Sequence, residues 1–331
     1  MLLSIIIPVY NSEKALGYCL ESLIDERLEG QYEIICVNDG STDNSLQKLK
    51  EWQSKYPQTI RIIDKLNAGM SYARNDGMKM AQGKWLFFCD SDDYIAKNSM
   101  SSIMNFIADY PDDLYMVNYD MKHVTEVVPD DFTGVKGVKF YGTSKEFFLT
   151  QLFWTSWVFL FRREFVLKEG IEFANVRGCE DALFNYWCLL KKEFKVLTLD
   201  ADVYRYVANP NSICHSFSSN KKCRTFVKDG IFVLNAYQDT VPFDNSPEVT
   251  ERMKWVSAKM IPNILARLLH TDMTAKEYKA VRDELLAMQC IPCETGLSRS
   301  EKFREFLLFH PTLFYVTRRT LEFLGLIKIQ K

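Results

Sequence analysis

The chain has 331 residues, 47% hydrophobic and 25% charged, with a formal net charge of -2. That length buries the core of one large domain plus a smaller appendage. The near-neutral balance lacks the basic footprint of a nucleic-acid binder, so no nucleic-acid partner is expected. The 9 cysteines are scattered rather than framed. Cys36 and Cys89 lie in apolar runs, as buried reduced thiols of a cytosolic protein would. Cys290-Ile-Pro-Cys293 is a lone CxxC with no second pair, and reads as structural. No run reaches the ~18 apolar residues of a spanning helix, and the N-terminus lacks the pattern of a signal peptide. A cytoplasmic location is the expectation.

Taken in order, the elements alternate. Leu3-Ser-Ile-Ile-Ile-Pro-Val9 is an apolar, β-branched strand, followed by a helical pattern from Ser12 to Leu23 with Ser12 as N-cap. Tyr32 to Val37 is a second strand, closed by the turn-rich Asn38-Asp-Gly-Ser-Thr-Asp43, and Leu46, Leu49 and Trp52 mark the next helix. Ile60 to Ile63 and Gly83 to Cys89 are strands three and four, with a helix over Gly69 to Ala81 between them. Strands that are apolar on both faces and separated by helices predict an α/β fold with a mainly parallel sheet covered on both sides. From Leu114 the pattern is mixed, with strands at Leu114 to Tyr119, Val158 to Arg162, Val196 to Leu199 and Val203 to Tyr206, and helices at Ser144 to Leu152 and Asp181 to Leu190. Beyond His215 only helical patterns remain: Asn220 to Asp239, Pro247 to His270, Ala275 to Met288 and Ser298 to Leu324, the last broken near Pro311. A boundary is therefore expected near residue 215.

In parallel sheets ligands bind outside the carboxyl ends of the strands. That rule lines up Pro8-Val-Tyr10, Asn38-Asp-Gly40, Asp64-Lys-Leu-Asn67 and Asp90-Ser-Asp92 along one edge. Three carboxylates in Asp90-Ser-Asp-Asp93 repel one another unless solvent or a cation offsets them. Mg²⁺ or Mn²⁺ prefers oxygen ligands and commonly combines one or two carboxylates with substrate phosphates. The alternative is an acidic turn in which Ser91 or Asp93 caps the following helix. Asn38 to Asp43 also reads two ways, as a capped turn at Gly40 or as a place where Asp39 accepts hydrogen bonds from a base or ribose.

Four segments together, Ser4-Ile-Ile-Ile-Pro-Val-Tyr-Asn11, Val37-Asn-Asp-Gly-Ser-Thr-Asp43, Asn67-Ala-Gly-Met-Ser-Tyr-Ala-Arg-Asn75 and Phe88-Cys-Asp-Ser-Asp-Asp93, resemble the successive signatures of family 2 glycosyltransferases with the GT-A fold. They cover roughly the first hundred residues. Further on, Gly178-Cys-Glu-Asp-Ala-Leu-Phe184 is similar to the family's Glu-Asp segment, and Cys89 replaces the leucine often found before the acidic motif. The resemblance implies a catalytic domain over residues 1–215, with a nucleotide-sugar half to about 120 and an acceptor half from 121, followed by a helical region over 216–331. It implies that Pro8, Tyr10 and Asp39 line the nucleoside site and that Asn67 and Arg74 hold the donor, Arg74 near its diphosphate or sugar. Asp90 would contact the ribose or the metal-bound diphosphate, Asp92 would ligate Mn²⁺ or Mg²⁺, and Asp181, with Glu180 beside it, would be the acceptor-activating base. His215, in a segment similar to the one after the family's Glu-Asp helix, would reach the metal or diphosphate, or be structural.

The implied activity is inverting transfer of a sugar from a nucleotide sugar, UDP favoured, to a hydroxyl of a glycan or lipid-linked acceptor in surface polysaccharide biosynthesis. A carboxylate base is what a weakly nucleophilic hydroxyl requires near neutral pH. Glu180 and Asp181 also head a helix, where the dipole favours the ionised form and makes Asp181 a weaker base. Trp154 and Trp157 suit either a sugar platform or the core. The tail mixes Phe303, Phe306, Leu313 and Phe323 with Arg299, Lys302, Arg318 and Arg319, which suits an anionic membrane surface, a helix docked on its own domain, or a homodimer interface. Two other functions compete. A nucleotidyltransferase would need a Gly-rich phosphate loop after the first strand, and Pro8 to Asn11 supplies none. A non-catalytic sugar-nucleotide scaffold would not need both Asp90-Ser-Asp92 and Glu180-Asp181.

Overall fold

In the computed structural model the described residues are 1–208, 219–288, 299–324 and 327. The chain forms two compact units, Met1–Asn175 with Glu180–Asn209, and Val176–Cys179 with Pro210–Lys331.

The first unit opens with β1 (Leu3–Val9), α1 (Leu16–Leu23), β2 (Tyr32–Asp39), α2 (Ser45–Lys55), β3 (Ile60–Lys65), α3 (Met70–Met80) and β4 (Trp85–Phe88). It continues through β5 (Tyr94–Ile95), α4 (Ser99–Ile107), β6 (Leu114–Val124), β7 (Gly137–Thr143), α5 (Ser144–Thr150), β8 (Phe159–Arg162), α6 (Arg163–Lys168), α7 (Glu180–Lys191) and β9 (Lys195–Val207). One sheet runs in the order β3-β2-β1-β4-β8-β6-β9-β5, with β7 paired to β9. β1 to β4 are parallel. β8 runs antiparallel to both of its neighbours, and the far half of the sheet is mixed.

Side chains on a strand alternate between faces. In β1, Leu3, Ile5 and Ile7 join the core that holds Leu16, Cys19 and Leu20 of α1, Leu49 of α2 and Ile103 of α4. Ile6 faces the other way, so close to α3 that a Cβ on Gly77 would stand 2.5 Å from its Cγ2. On β4, Phe87 belongs to the first core, while Phe88 packs against Phe161, Phe173 and Phe184. Every residue of β1 and β2 is buried, which is why these strands read as continuous apolar runs.

Several local expectations are corrected. Ser12 does not cap α1: its carbonyl accepts from Ala15 and Leu16, its hydroxyl pairs with Ser91, and the helix starts at Leu16. Ser91 and Asp93 do not cap a helix either, because β5 follows them and α4 begins only at Ser99. The two short strands expected around Asp200 are one strand, β9, whose pairing with β6 passes through register shifts.

The second unit is helical: α8 (Asn220–Asp239), α9 (Pro247–Leu268), α10 (Ala275–Ala287), α11 (Arg299–Phe309) and α12 (Pro311–Phe323). Gly230 lies where α8 meets α9, with space for a Cβ only 2.8 Å from Ile264. Thr274 and Glu277 form a capping box at the start of α10. Arg224 ties α8 to Asp272 and Glu277 at 2.7 and 2.9 Å. No helix among the described residues is long and apolar enough to cross a membrane. Cys19, Cys36, Cys89, Cys188 and Cys223 are buried free thiols. The pair Cys290 and Cys293 lies outside the described residues.

Candidate active site

Strand register places the polar clusters together. Val9 pairs with Asn38, Asn38 with Asp64, and Ile6 with Phe88, so Asp39 and Lys65 close their strands, and Tyr10 and Asp90 follow theirs, along one edge. Pro8 is buried within β1, whereas Tyr10 is 52% exposed. Asn11, in a left-handed conformation at φ 51°, accepts from Thr42 N–H at 2.8 Å and donates its own N–H to Ser41 Oγ at 3.0 Å. The loops after β1 and β2 are thereby fastened together.

Asp39 closes β2. Its carboxylate accepts from Ala68 N–H at 2.9 Å and Gly69 N–H at 2.7 Å, and Asn67 Nδ2 donates to its carbonyl at 2.8 Å. The loop therefore folds tightly over Gly40, where φ is +66° and a Cβ would sit 2.6 Å from the Asn67 nitrogen. Gly69, at φ +106°, takes the backbone into α3 through a region that L side chains avoid. Asn67 itself is exposed.

One turn into α3, Arg74 is only 1% exposed. Its guanidinium lies over the Phe173 ring at 5.1 Å. One terminal nitrogen donates to Asp90 Oδ1 at 2.7 Å, and the other to Glu180 Oε1 at 3.1 Å and Asp181 Oδ1 at 3.0 Å. The resemblance placed Arg74 at the donor's diphosphate or sugar; here its bonds run to carboxylates of β4's exit loop and of the start of α7. These carboxylates hold the guanidinium's pKa above its usual range, against the burial that would lower it.

Asp181 is 15% exposed at its side chain. Oδ1 also accepts from the buried Ser156 Oγ at 2.7 Å. The two side-chain bonds both fall on Oδ1, and the Ser156 backbone N–H joins them in lowering the Asp181 pKa. Burial raises the Asp181 pKa, opposed by the Arg74 charge. Glu180, buried beside it, is pushed up to about 7 by desolvation and the Asp181 charge. Asn185, one turn further along α7, donates to the carbonyls of Phe153 and Thr155 at 2.7 and 2.9 Å, which fixes the loop carrying Ser156.

The acidic loop is held by its backbone. Tyr18 Oη donates to Asp92 O at 2.8 Å, and Asp90 N–H donates to Tyr204 Oη at 3.2 Å. Asp93 is turned inward, accepting from Tyr204 Oη and Val207 N–H at 2.8 Å each. Burial, followed by the Asp90 charge, pushes its pKa up to about 8. Asp93 thus fastens the loop to β9, while Asp90 and Asp92 stay partly accessible. No group of three or more His, Cys, Asp or Glu among the described residues could cage a metal on its own. Two hard carboxylates one residue apart fit a Mg²⁺ or Mn²⁺ ion whose remaining ligands are phosphate oxygens and water. His215 lies outside the described residues.

Ser156, Phe173, Tyr18 and Asn185 carry no motif of their own and were not anticipated. The tryptophans flanking Ser156 were the nearest signal. Trp157 is a core residue, stacked on Tyr204 at 4.4 Å, and Trp154 is half-buried beside Phe153.

A β-strand edge built in this way, an acidic exit loop and a buried Glu-Asp helix start are consistent with one family. Residues 4–168 match the model of glycosyl transferase family 2, and the chain belongs to that family. It is 32% identical over 219 residues to the poly(ribitol-phosphate) beta-glucosyltransferase of Bacillus spizizenii, covering 62% of this chain and 32% of that protein. The fold matches S. aureus TarS 1-349 in complex with UDP-GlcNAc at a TM-score of 0.66 and 22% identity, over 88% of this chain and 82% of that one. It also matches the Pyrobaculum calidifontis mannosyltransferase PcManGT in complex with GDP-Man and Mn²⁺ at 0.54 and 13% identity, over 96% and 86%. These two likenesses establish the GT-A fold. The chain spans 32% to 62% of the length of the first curated relatives it matches.

Proposed function

We propose that the protein is an inverting, divalent-metal-dependent glycosyltransferase. It would move a sugar from a nucleotide sugar, UDP favoured, to a hydroxyl of a glycan or lipid-linked acceptor in surface polysaccharide biosynthesis, at the cytoplasmic face of the membrane. The observation that carries this reading is the Arg74 node, which joins Asp90 on the donor side to Asp181 on the acceptor side through one buried guanidinium.

In this reading Pro8, Tyr10 and the Asp39–Asn67 loop border the nucleoside. Each Asp39 oxygen already takes one amide and keeps a second lone pair for a base N–H or ribose hydroxyl. Asp92, with Asp90, would hold Mn²⁺ or Mg²⁺, which supplies charge stabilisation for the departing diphosphate. The Asp181 carboxylate takes the acceptor hydroxyl's proton as the hydroxyl oxygen bonds to the anomeric carbon. The bond to the diphosphate oxygen breaks and its electron pair leaves with the nucleoside diphosphate. One base and one displacement invert the anomeric centre. Glu180, too buried to meet an acceptor, acts by setting the charge around Arg74 and Asp181.

The test is Asp181→Asn. Transfer should fall by about 10² to 10⁴-fold, while UDP binding measured by calorimetry stays within a few-fold of wild type. Loss of UDP binding together with transfer would remove Asp181 from the base role. Hydrolysis of UDP-sugars by the wild-type chain should require Mn²⁺ or Mg²⁺, which a scaffold protein would not show.

A further inference from the structure

In the second unit, α11 and α12 present two apolar faces. The inner one packs through Leu307, Leu308 and Phe314. Tyr278 of α10 stacks on Phe314 at 4.1 Å and donates its hydroxyl to the Leu307 carbonyl at 3.2 Å. This contact already satisfies what an amphipathic helix needs in order to dock on its own protein. The outer face remains uncovered: Phe303, Phe306, Phe309, Leu313, Val316 and Phe323 are between 38% and 89% exposed. At about 100° per residue, Phe303, Phe306 and Phe309 fall within an arc of about 120°, and Arg299 and Lys302 fall inside it. On α12, Leu313, Val316 and Phe323 share a similar stripe with Arg319 at its margin.

Six large apolar side chains exposed on two consecutive short helices are the kind of surface that marks a partner or membrane contact. We infer that this outer face docks on a bilayer surface bearing anionic headgroups. The inference rests on the reading of the chain as an enzyme working at a membrane. Charge selects the occupant. Within the stripes the exposed ionic groups are the bases Arg299 and Lys302; at their margins lie exposed Arg319 on α12 and partly buried Glu305 on α11, and exposed Glu322 lies about half a turn from the Leu313 stripe. In a two-fold contact between copies the same face meets itself and base meets base. An anionic bilayer supplies the opposite charge to the bases and an apolar interior to the phenylalanines. Each helix, about 16 to 20 Å long, would lie in the interface plane.

The experiment is co-sedimentation of the full chain with vesicles of phosphatidylglycerol and phosphatidylcholine in equal amounts, and with phosphatidylcholine alone. Wild type should pellet with the anionic vesicles and stay largely soluble with the neutral ones. Arg299→Glu with Lys302→Glu should lower the anionic partition on the order of tenfold or more. Phe303→Ser with Phe306→Ser should abolish it, with the thermal midpoint within a few degrees of wild type because both rings are exposed. Wild type left in the supernatant of anionic vesicles overturns the inference. So does a concentration-dependent dimer that the phenylalanine variant dissolves without any vesicle binding. UDP-sugar hydrolysis, measured without vesicles, tests the enzymatic reading separately.

Discussion

At Arg74 one buried cation faces three carboxylates, so negative charge exceeds positive there and favours uptake of a proton. Glu180 is the place: its carboxyl, ordinarily near 4.5, is pushed up to about 7. The folded protein keeps this proton where the unfolded chain has released it. The associated stability is complete below about pH 4.5 and is lost as the pH rises to about 7. Glu180→Gln, which stays neutral throughout, should flatten the slope of unfolding free energy against pH across that window. An unchanged slope, followed by urea unfolding at several pH values, would place the proton elsewhere. Arg74→Met removes the cation and leaves the carboxylates buried together, at a cost of about 3–5 kcal/mol in the same assay. Ser156→Ala tests positioning rather than folding. Its hydroxyl lowers the Asp181 pKa, so its loss should move the acidic limb of the kcat profile to higher pH and reduce kcat up to about tenfold, with KM for the donor unchanged. A loss confined to KM would assign Ser156 to substrate binding instead.

The elements that position these residues differed in how plainly the sequence announced them. β1, β2 and α3 were readable almost to the residue because both faces of the strands are buried and a glycine in the left-handed region marks the loop into the helix. β7 gave no signal: it is a short edge strand containing two glycines, with only Gly142 buried, held by pairing with β9 rather than by apolar periodicity. β9 was split in two by Asp200 and Asp202, which break the apolar pattern without ending the strand. The acidic residues of the site could be placed on one edge from strand order alone. The contacts of Arg74 could not, because they depend on Phe173 and α7 arriving about a hundred residues later. Ser156 was invisible for the same reason, being placed by Asn185 of α7. The Asp39 loop allows a test at this scale. A side chain at Gly40 meets the Asn67 backbone and a strained φ at once, so Gly40→Ala should destabilise by about 1–3 kcal/mol and weaken UDP binding more than it lowers kcat. Equal effects on both would deny that this loop serves the nucleoside.

Across the whole molecule, the residues assigned to donor, metal and base, from Pro8 to Asp181, all fall within the unit formed by Met1–Asn175 and Glu180–Asn209, His215 apart. Ligand-binding energy must therefore enter stability through that unit. A ligand specific for the folded state adds about 2.7 kcal/mol at a hundredfold excess over its Kd, enough to raise the thermal midpoint by several degrees. If Asp92 and Asp90 hold a cation jointly with the donor's phosphates, the cation and UDP should stabilise together more than the sum of each alone. Neither has a complete set of partners without the other, since no cage of three protein ligands exists among the described residues. Asp92→Ala, at a half-exposed position on a loop held through its backbone, should fold normally. It should keep the shift given by UDP alone and lose the further increment given by Mn²⁺. An Asp92→Ala protein that responds to Mn²⁺ with UDP as strongly as wild type would show that the metal sits on other ligands.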